Sequence, residues 1–219
     1  MGFDLEREAL IASGVTDDHG IAKYKDEIEA VLRLFPWERL PAADPCSAAR
    51  TLFNWLWTTR PQRYRRGGSY RLREVIEAQR DERRPSVGNC LGLTVLYNCL
   101  LGRTGIRAGA IHLEWAFELA PHVLTTLEAA SGPIDIENTL PGGFDYRGHR
   151  DAPGRTVWGD RELVADIYHS RGNDCFERKD YQGALADYEA ALALNPGYET
   201  ARLNRAIVLD VLENPLFTM

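Results

Sequence analysis

The chain has 219 residues, of which 44% are hydrophobic and 26% are charged, a composition typical of a globular protein. This length allows one sizeable core, or one domain with an appendage. The net charge of −6 argues against a general nucleic-acid binder.

The cysteines and the first residues of the chain predict a cytoplasmic protein. Cys46, Cys90, Cys99 and Cys175 are widely spaced and form no CxxC pair, which fits free thiols in a reducing compartment. The first ten residues, MGFDLEREAL, carry charges from the start and lack an apolar signal core, so we expect no secretion signal. We also expect no membrane partner.

The first 58 residues are predicted to be helical. Apolar residues recur at helical spacing over residues 21–35, and prolines at positions 36 and 41 then mark a break. Asp44 followed by Pro45 is a favourable helix start, because Asp caps the first turn and Pro suits the first helical position.

Residues 60–84 are rich in arginine. Nine arginines stand against four acidic residues, a local charge of +5, with Tyr64 and Tyr70 interleaved. Phosphate or nucleic-acid binding is conceivable from such a pattern. The rest of the chain then carries −6 − 5 = −11, which favours a loop and a surface helix, Leu72–Arg83, with an internal or partner-binding role. We therefore expect no nucleic-acid partner.

The segment from Gly88 to Gly102, GNCLGLTVLYNCLLG, is apolar on nearly every side and predicts a helix at the centre of the protein. Its 15 residues are too few to span a membrane. Cys90 stands at its N-terminal tip, where unpaired N–H groups and the helix dipole favour a nucleophilic thiolate. Cys99 has the character of a core residue, as buried free cysteines usually do.

Three strands are predicted after this helix. Apolar and polar residues alternate over residues 106–117, and two further strands follow at residues 122–128 and 134–139. A short strand meander that packs on a buried helix is an α+β arrangement. Residues 144–160 are predicted to form a loop.

A cysteine nucleophile needs a base, and the base needs a group that orients it. His122 begins the second strand, while Asp135 and Glu137 lie two residues apart on the third, so a hairpin would bring a carboxylate to His122. Cys90 would attack a carbonyl carbon, His122 would transfer its proton, and Asp135 or Glu137 would hold the imidazole tautomer. The Cys90 N–H could stabilise an oxyanion, with Asn89 as a possible second donor.

A metal site built from Cys90, His112 and His122 is an alternative, but its spacing matches no zinc motif. We therefore expect neither a metal nor a cofactor. His112 is interpreted as a structural histidine. The other three histidines, His19, His149 and His169, are predicted to lie at the surface.

These motifs resemble the bacterial transglutaminase-like superfamily over roughly residues 45–150. The resemblance rests on GNCLGLTVLYNCLLGRTGIRA, then PHVLTTL, then IDIENT. It implies a papain-like fold with Cys90 as the nucleophile and His122 as the base. The family's acid-x-Thr pattern favours Glu137, which Gly142 and Gly143 follow, while Asp135 matches the acid that family members use more often.

The C-terminal part is predicted to be helical and resembles a tetratricopeptide repeat. The small or aromatic positions of that motif fall at Gly172, Ala184, Tyr188, Ala191 and Pro196. Cys175 is interpreted as a core residue. Residues 199–212 resemble the first helix of a second repeat.

We therefore divide the chain into a transglutaminase-like domain with a helical N-terminal part, residues 1–158, and tetratricopeptide helices, residues 159–219. One repeat and one further helix cannot bury their apolar faces alone, so we expect them to pack on the first domain. Together the two parts resemble the invasion-regulator-type family of bacterial proteins.

Two functions follow from these features. The first is a cysteine-dependent acyl-transfer enzyme, a peptidase or amidase, deamidase or transglutaminase, acting on a peptide or amide substrate. The second is an inactive module that binds protein partners through the cleft and the tetratricopeptide helices. The second is motivated by Val-Leu-Thr after His122, where active animal-type enzymes have an aromatic-rich His-Ala-Trp.

Overall fold

The structure is a computed structural model that describes residues 2–36, 44–116, 120–130 and 132–214. Within these ranges the chain forms eight α-helices and one four-stranded antiparallel sheet. The helices are α1 Leu5–Ala12, α2 Asp18–Arg33, α3 Pro45–Thr59, α4 Leu72–Arg80, α5 Cys90–Arg103, α6 Asp160–Glu177, α7 Tyr181–Leu194 and α8 Glu199–Glu213. The strands are β1 Gly109–Ala116, β2 Ala120–Ala129, β3 Gly132–Ile136 and β4 Thr156–Trp158.

Helix α5 lies at the centre of the protein, and every residue from Leu91 to Leu101 is buried. Asn89 caps the helix, since its side-chain oxygen accepts a hydrogen bond from the Gly92 N–H at 3.0 Å. Gly92 itself allows a close approach of two backbones, because a Cβ there would lie 2.4 Å from the carbonyl oxygen of Ser69. The predicted central helix is therefore present and begins at Cys90.

The N-terminal helices form as the sequence predicts. The Asp44 carboxylate accepts hydrogen bonds from the backbone N–H groups of Cys46 and Ser47 at the start of α3. Apolar residues of α1, α2 and α3 join the same core as α5. The predicted break at Pro41 lies outside the described residues.

The arginine-rich segment has a partly internal role. The Arg60 guanidinium donates hydrogen bonds to backbone carbonyls, including that of Arg84 at 2.9 Å. Arg63 is 3% exposed and donates to the Gln79 side chain at 2.5 Å. Helix α4 ends at Arg80, three residues earlier than predicted, because the chain then turns and presents the carbonyls that Arg60 binds.

The strand order is β3-β2-β1-β4, and all neighbours are antiparallel. Strand β4 corrects the prediction of a continuous loop over residues 144–160: its three residues pair with residues 110–112 of β1. Three residues are too few to show an alternating pattern, so this strand could not be predicted from the sequence. Strand β1 begins at Gly109, later than predicted, and its predicted last residue, Phe117, lies outside the described residues.

Helices α6 and α7 form an antiparallel hairpin at the C-terminal end. A Cβ at Gly172 would lie 2.6 Å from a ring carbon of Tyr188, so glycine lets the two helices approach. Leu163, Val164 and Ile167 of α6 belong to the same core as α5. The helices therefore pack on the rest of the protein, as expected.

Among the described residues, no helix has both the length and the hydrophobicity of a membrane span.

Candidate active site

Cys90 is the first residue of α5, and its thiol is free and half-buried. Its backbone N–H lies in the first turn, where helical N–H groups have no partner within the helix. The thiol interacts with His122, which comes from β2, and both residues line the same cavity. The structure therefore brings together the helix tip and the strand that the sequence paired as nucleophile and base.

His122 also contacts Glu137. Its Nε2 lies 2.7 Å from the Glu137 Oε2, and both side chains are buried. The imidazole is thus held between a sulfur and a carboxylate, in the order that a thiol–imidazole–acid triad requires.

Glu137 is fixed in place by the turn that follows β3. Its Oε1 accepts hydrogen bonds from the Thr139 N–H at 3.0 Å and from the Thr139 hydroxyl at 2.6 Å. Its backbone N–H donates to the Gly143 carbonyl oxygen at 2.8 Å. A Cβ at Gly143 would lie 2.0 Å from the Glu137 carbonyl oxygen, so glycine is required for this turn.

The interactions within the site shift the pKa values of His122 and Glu137 in opposite directions. Burial alone would lower the pKa of His122, but its hydrogen bonds with Cys90 and Glu137 outweigh burial and raise the pKa to about 10. Burial alone would raise the pKa of Glu137, but its bonds with His122 and His149 lower the pKa to about 2. At neutral pH the pair is therefore an imidazolium and a carboxylate.

Asp135, the other candidate acid, does not contact the imidazole. Its Oδ1 accepts a hydrogen bond from the Arg155 guanidinium at 2.9 Å, and its backbone carbonyl accepts one from the Tyr146 N–H. Asp135 is nevertheless buried, and its ion pair with Arg155 ties β3 to the chain just before β4. The two carboxylates, which lie two residues apart in the sequence, thus have different partners.

His149 is a site residue that the sequence analysis missed. The prediction of a surface residue was wrong: the side chain is 6% exposed, and its Nε2 lies 3.5 Å from the Glu137 Oε2. Tyr146 covers the ring at a centroid distance of 5.0 Å. A lone histidine in a Gly-rich and charged loop has no periodic pattern, so only the folded loop brings it to the site.

His122, Glu137 and His149 form a cluster of possible metal ligands, with their donor atoms within 4.8 Å of one another. Two ligand atoms on a tetrahedral zinc ion lie about 3.3 Å apart, since each is about 2.0–2.1 Å from the metal. The 2.7 Å separation between His122 and Glu137 is shorter and is that of a direct hydrogen bond. In this arrangement the ligand atoms of His122 and Glu137 are bonded to each other and would have to move apart to hold an ion.

A cavity of about 220 Å³ borders the thiol, and we call it the thiol cavity. One side is formed by the tip of α5 and the start of β2, and the other by the C-terminal helices. Its lining includes Asn89, Cys90, His122, Asp166, Ser170 and Thr200. The tetratricopeptide helices therefore form one wall of the space beside Cys90.

Two of the remaining histidines, His112 and His169, have structural contacts. His112 stacks on Trp158 with ring centroids 4.0 Å apart, in agreement with its interpretation as a structural histidine. His169 was predicted at the surface but is buried, with Tyr198 and Asn204 at hydrogen-bonding distance from its ring. Helix α8 and the residue that precedes it enclose His169, which the α6 sequence alone does not indicate.

A family model described as the tetratricopeptide repeat matches residues 165–198, which span most of α6, all of α7 and the turn that follows. The prediction of a tetratricopeptide repeat in the C-terminal part is therefore confirmed. No curated protein and no solved structure matches the chain. The chain is thus an α+β protein with a small antiparallel sheet and one confirmed tetratricopeptide repeat.

Proposed function

We propose that this protein is a cysteine-dependent acyl-transfer enzyme that acts on a peptide or amide substrate through Cys90, His122 and Glu137. The observation that carries the proposal is the chain of contacts from the free Cys90 thiol to His122 and on to the buried Glu137. The family resemblance supports it, and implies a papain-like, transglutaminase-like core of the invasion-regulator type. Asp135 has no part in the mechanism, because it is paired with Arg155.

The reaction has two halves. The Cys90 sulfur attacks the amide carbonyl carbon, the C–N bond breaks, and the proton held by His122 passes to the leaving amine, which leaves a thioester. A second nucleophile, water or an amine, then gives a proton to His122 and attacks the thioester carbon, and the Cys90 thiolate leaves. Glu137 keeps the imidazole oriented in both halves.

The developing oxyanion would lie near the N-terminal tip of α5. The Cys90 N–H points out of the first turn, and the positive end of the helix dipole adds to its effect. The oxygen of the Asn89 side chain is engaged by Gly92, which leaves its amide nitrogen as the candidate second donor.

Alkylation of individual cysteines tests the proposal directly. An imidazolium beside a sulfur stabilises the reactive thiolate, so Cys90 should react with iodoacetamide at pH 6 at least tenfold faster than Cys46. Cys46 is a suitable internal control, because it is also free and half-buried, and burial raises its pKa. Mass spectrometry of timed samples gives both rates, and equal rates would overturn the proposal.

A second candidate function is a module that binds protein partners. The tetratricopeptide match favours it, and so does a cavity of about 240 Å³ between α6, α7 and α8 that Phe176, Tyr188 and Ile207 line. A Cys90→Ala variant separates the two functions in cells that depend on the protein. Full activity without the thiol would favour partner binding, and loss of activity in a folded variant would favour the enzyme.

A further inference from the structure

A second cavity adjoins the thiol cavity and has a volume of about 530 Å³. The two cavities share four lining residues: His112, Pro121, Tyr198 and Thr200. They therefore form one groove that starts at Cys90 and continues between β1 and the turn before α8. A peptide that presents an amide to Cys90 would place its neighbouring residues along this groove.

The floor of the second cavity is aromatic. Trp158 stacks on His112 and meets the Tyr198 ring edge-on at a centroid distance of 5.4 Å. Burial lowers the pKa of His112, so its imidazole is neutral at physiological pH and adds no positive charge to the floor.

The rim of the second cavity is acidic. Glu114 and Trp115 stand side by side near the end of β1, both exposed, and the Trp115 side chain is 63% exposed. Glu114 forms no ion pair with any residue that the structure describes. Glu199 also lines the cavity, but its charge is offset by an ion pair with Arg202.

We propose that Glu114 and Trp115 form a subsite for a basic side chain, arginine or lysine, of the peptide substrate. A carboxylate beside an exposed indole suits a guanidinium or ammonium group, because the first supplies charge and the second a π face. No lysine or arginine is found among the described residues that line either cavity. The Glu114 carboxylate is therefore available to a basic side chain of the substrate, because no lysine or arginine that lines the groove is paired with it.

Charge inside the groove agrees with this assignment. Asp166 of α6 adds a carboxylate to the thiol cavity, where it accepts a hydrogen bond from the Tyr198 hydroxyl at 2.7 Å. The tetratricopeptide helices then contribute to substrate selection beside Cys90, in addition to any partner they bind elsewhere. The basic side chain is recognised at Glu114 and is not the group that reacts.

The subsite rests on the proposed function only in that its ligand is a peptide. Binding can therefore be tested in a protein that does not turn over substrate. The experiment titrates ¹⁵N-labelled Cys90→Ala protein with Nα-acetyl-L-arginine amide and follows amide and indole N–H shifts. We expect saturable shifts at Glu114, at the Trp115 indole and at Tyr198–Thr200. The citrulline analogue has the same shape without the charge and should cause no comparable shifts.

Two variants of the same protein make the test specific. Glu114→Gln should weaken arginine binding at least fivefold, and Trp115→Ala should weaken it as well. Glu128→Gln is the matched control and should leave binding unchanged. Glu128 is exposed and lies at the end of β2 opposite to Pro121, which lines the cavity. Both Glu114 and Glu128 are exposed, so neither change should affect folding.

Equal shifts with arginine and citrulline would overturn the subsite, and so would shifts that Glu114→Gln leaves unchanged. The proposed function fails separately. If the wild-type protein binds arginine at Glu114 but cleaves or transfers no peptide amide, the subsite stands without the enzyme. If it acts on amides with no preference for a neighbouring basic residue, the enzyme stands and the subsite is wrong.

Discussion

His122 and Glu137 form a buried pair in which the imidazole Nε2 lies 2.7 Å from the carboxylate oxygen, and Cys90 interacts with the same imidazole. Two charges that are both removed from water are stable only with good geometry and additional hydrogen bonds. Thr139 supplies two such bonds to Glu137.

The two candidate acids can be separated by their effect on Cys90. Glu137→Gln should slow alkylation of Cys90 at pH 6 about tenfold, because the imidazolium beside the sulfur loses its counter-charge and a tenfold change equals about 1.4 kcal/mol. Asp135→Asn should leave the rate within about twofold, since Asp135 contacts Arg155 instead. The opposite order of effects would assign the role to Asp135.

The stability contributed by the pair should depend on pH. The pKa of His122 is raised from 6.5 to about 10, so its contribution is complete below pH 6.5 and is lost as the pH rises through 10. The pKa of Glu137 is lowered from 4.5 to about 2, so its contribution is complete above pH 4.5 and is lost as the pH falls through 2. The full contribution is therefore expected between pH 4.5 and 6.5.

Urea unfolding of the wild type and of Glu137→Gln measures this dependence. We expect a difference in the free energy of unfolding of about 3 kcal/mol at pH 6, as for other buried ion pairs that lose one partner. The difference should shrink as the pH approaches 10. A constant difference from pH 6 to 10 would show that the His122 pKa is not raised by the pair.

His149 should stabilise the position of Glu137. His149→Ala removes a buried imidazole 3.5 Å from the carboxylate and should lower the free energy of unfolding by about 1–3 kcal/mol. His19→Ala is the control, because His19 is exposed, and it should have almost no effect. If His149→Ala behaved like the control in urea unfolding, the buried placement of this loop would be contradicted.

The close approach of α6 and α7 should make Gly172 sensitive to substitution. In Gly172→Ala, the added methyl group would meet the buried Tyr188 ring, and we expect a loss of about 1–3 kcal/mol. Gly102→Ala is the control within a helix, since a Cβ at Gly102 would meet nothing within 4 Å. That change should be neutral or stabilise by up to about 1 kcal/mol. Thermal unfolding of both variants checks the contrast.

The C-terminal helices should not separate as a folded unit. Leu163, Val164 and Ile167 of α6 share the core of α5, so cutting the chain before α6 would expose them. Limited proteolysis should therefore yield no stable fragment of residues 160–219, and thermal unfolding should be a single transition. Release of a folded fragment would show that the two parts are independent domains.

Elements whose patterns are local could be predicted from the sequence. The uncharged, mostly apolar run from Leu91 to Leu101 marks a buried helix, and Asp44-Pro45 marks a helix start, because each depends on neighbouring residues alone. The tetratricopeptide repeat is recognisable for the same reason, since its small and aromatic positions recur at fixed spacing within one hairpin.

Contacts between residues far apart in the sequence, in contrast, could be read only from the folded protein. The sequence left both Asp135 and Glu137 as candidate acids, with the acid-x-Thr pattern favouring Glu137. In the fold, the turn after β3 directs Glu137 to His122, while the chain before β4 brings Arg155 to Asp135. His149 reaches the site through a loop without periodicity. These contacts depend on loop paths and register, whose free energies come from long-range packing and hydrogen bonds that no local pattern records.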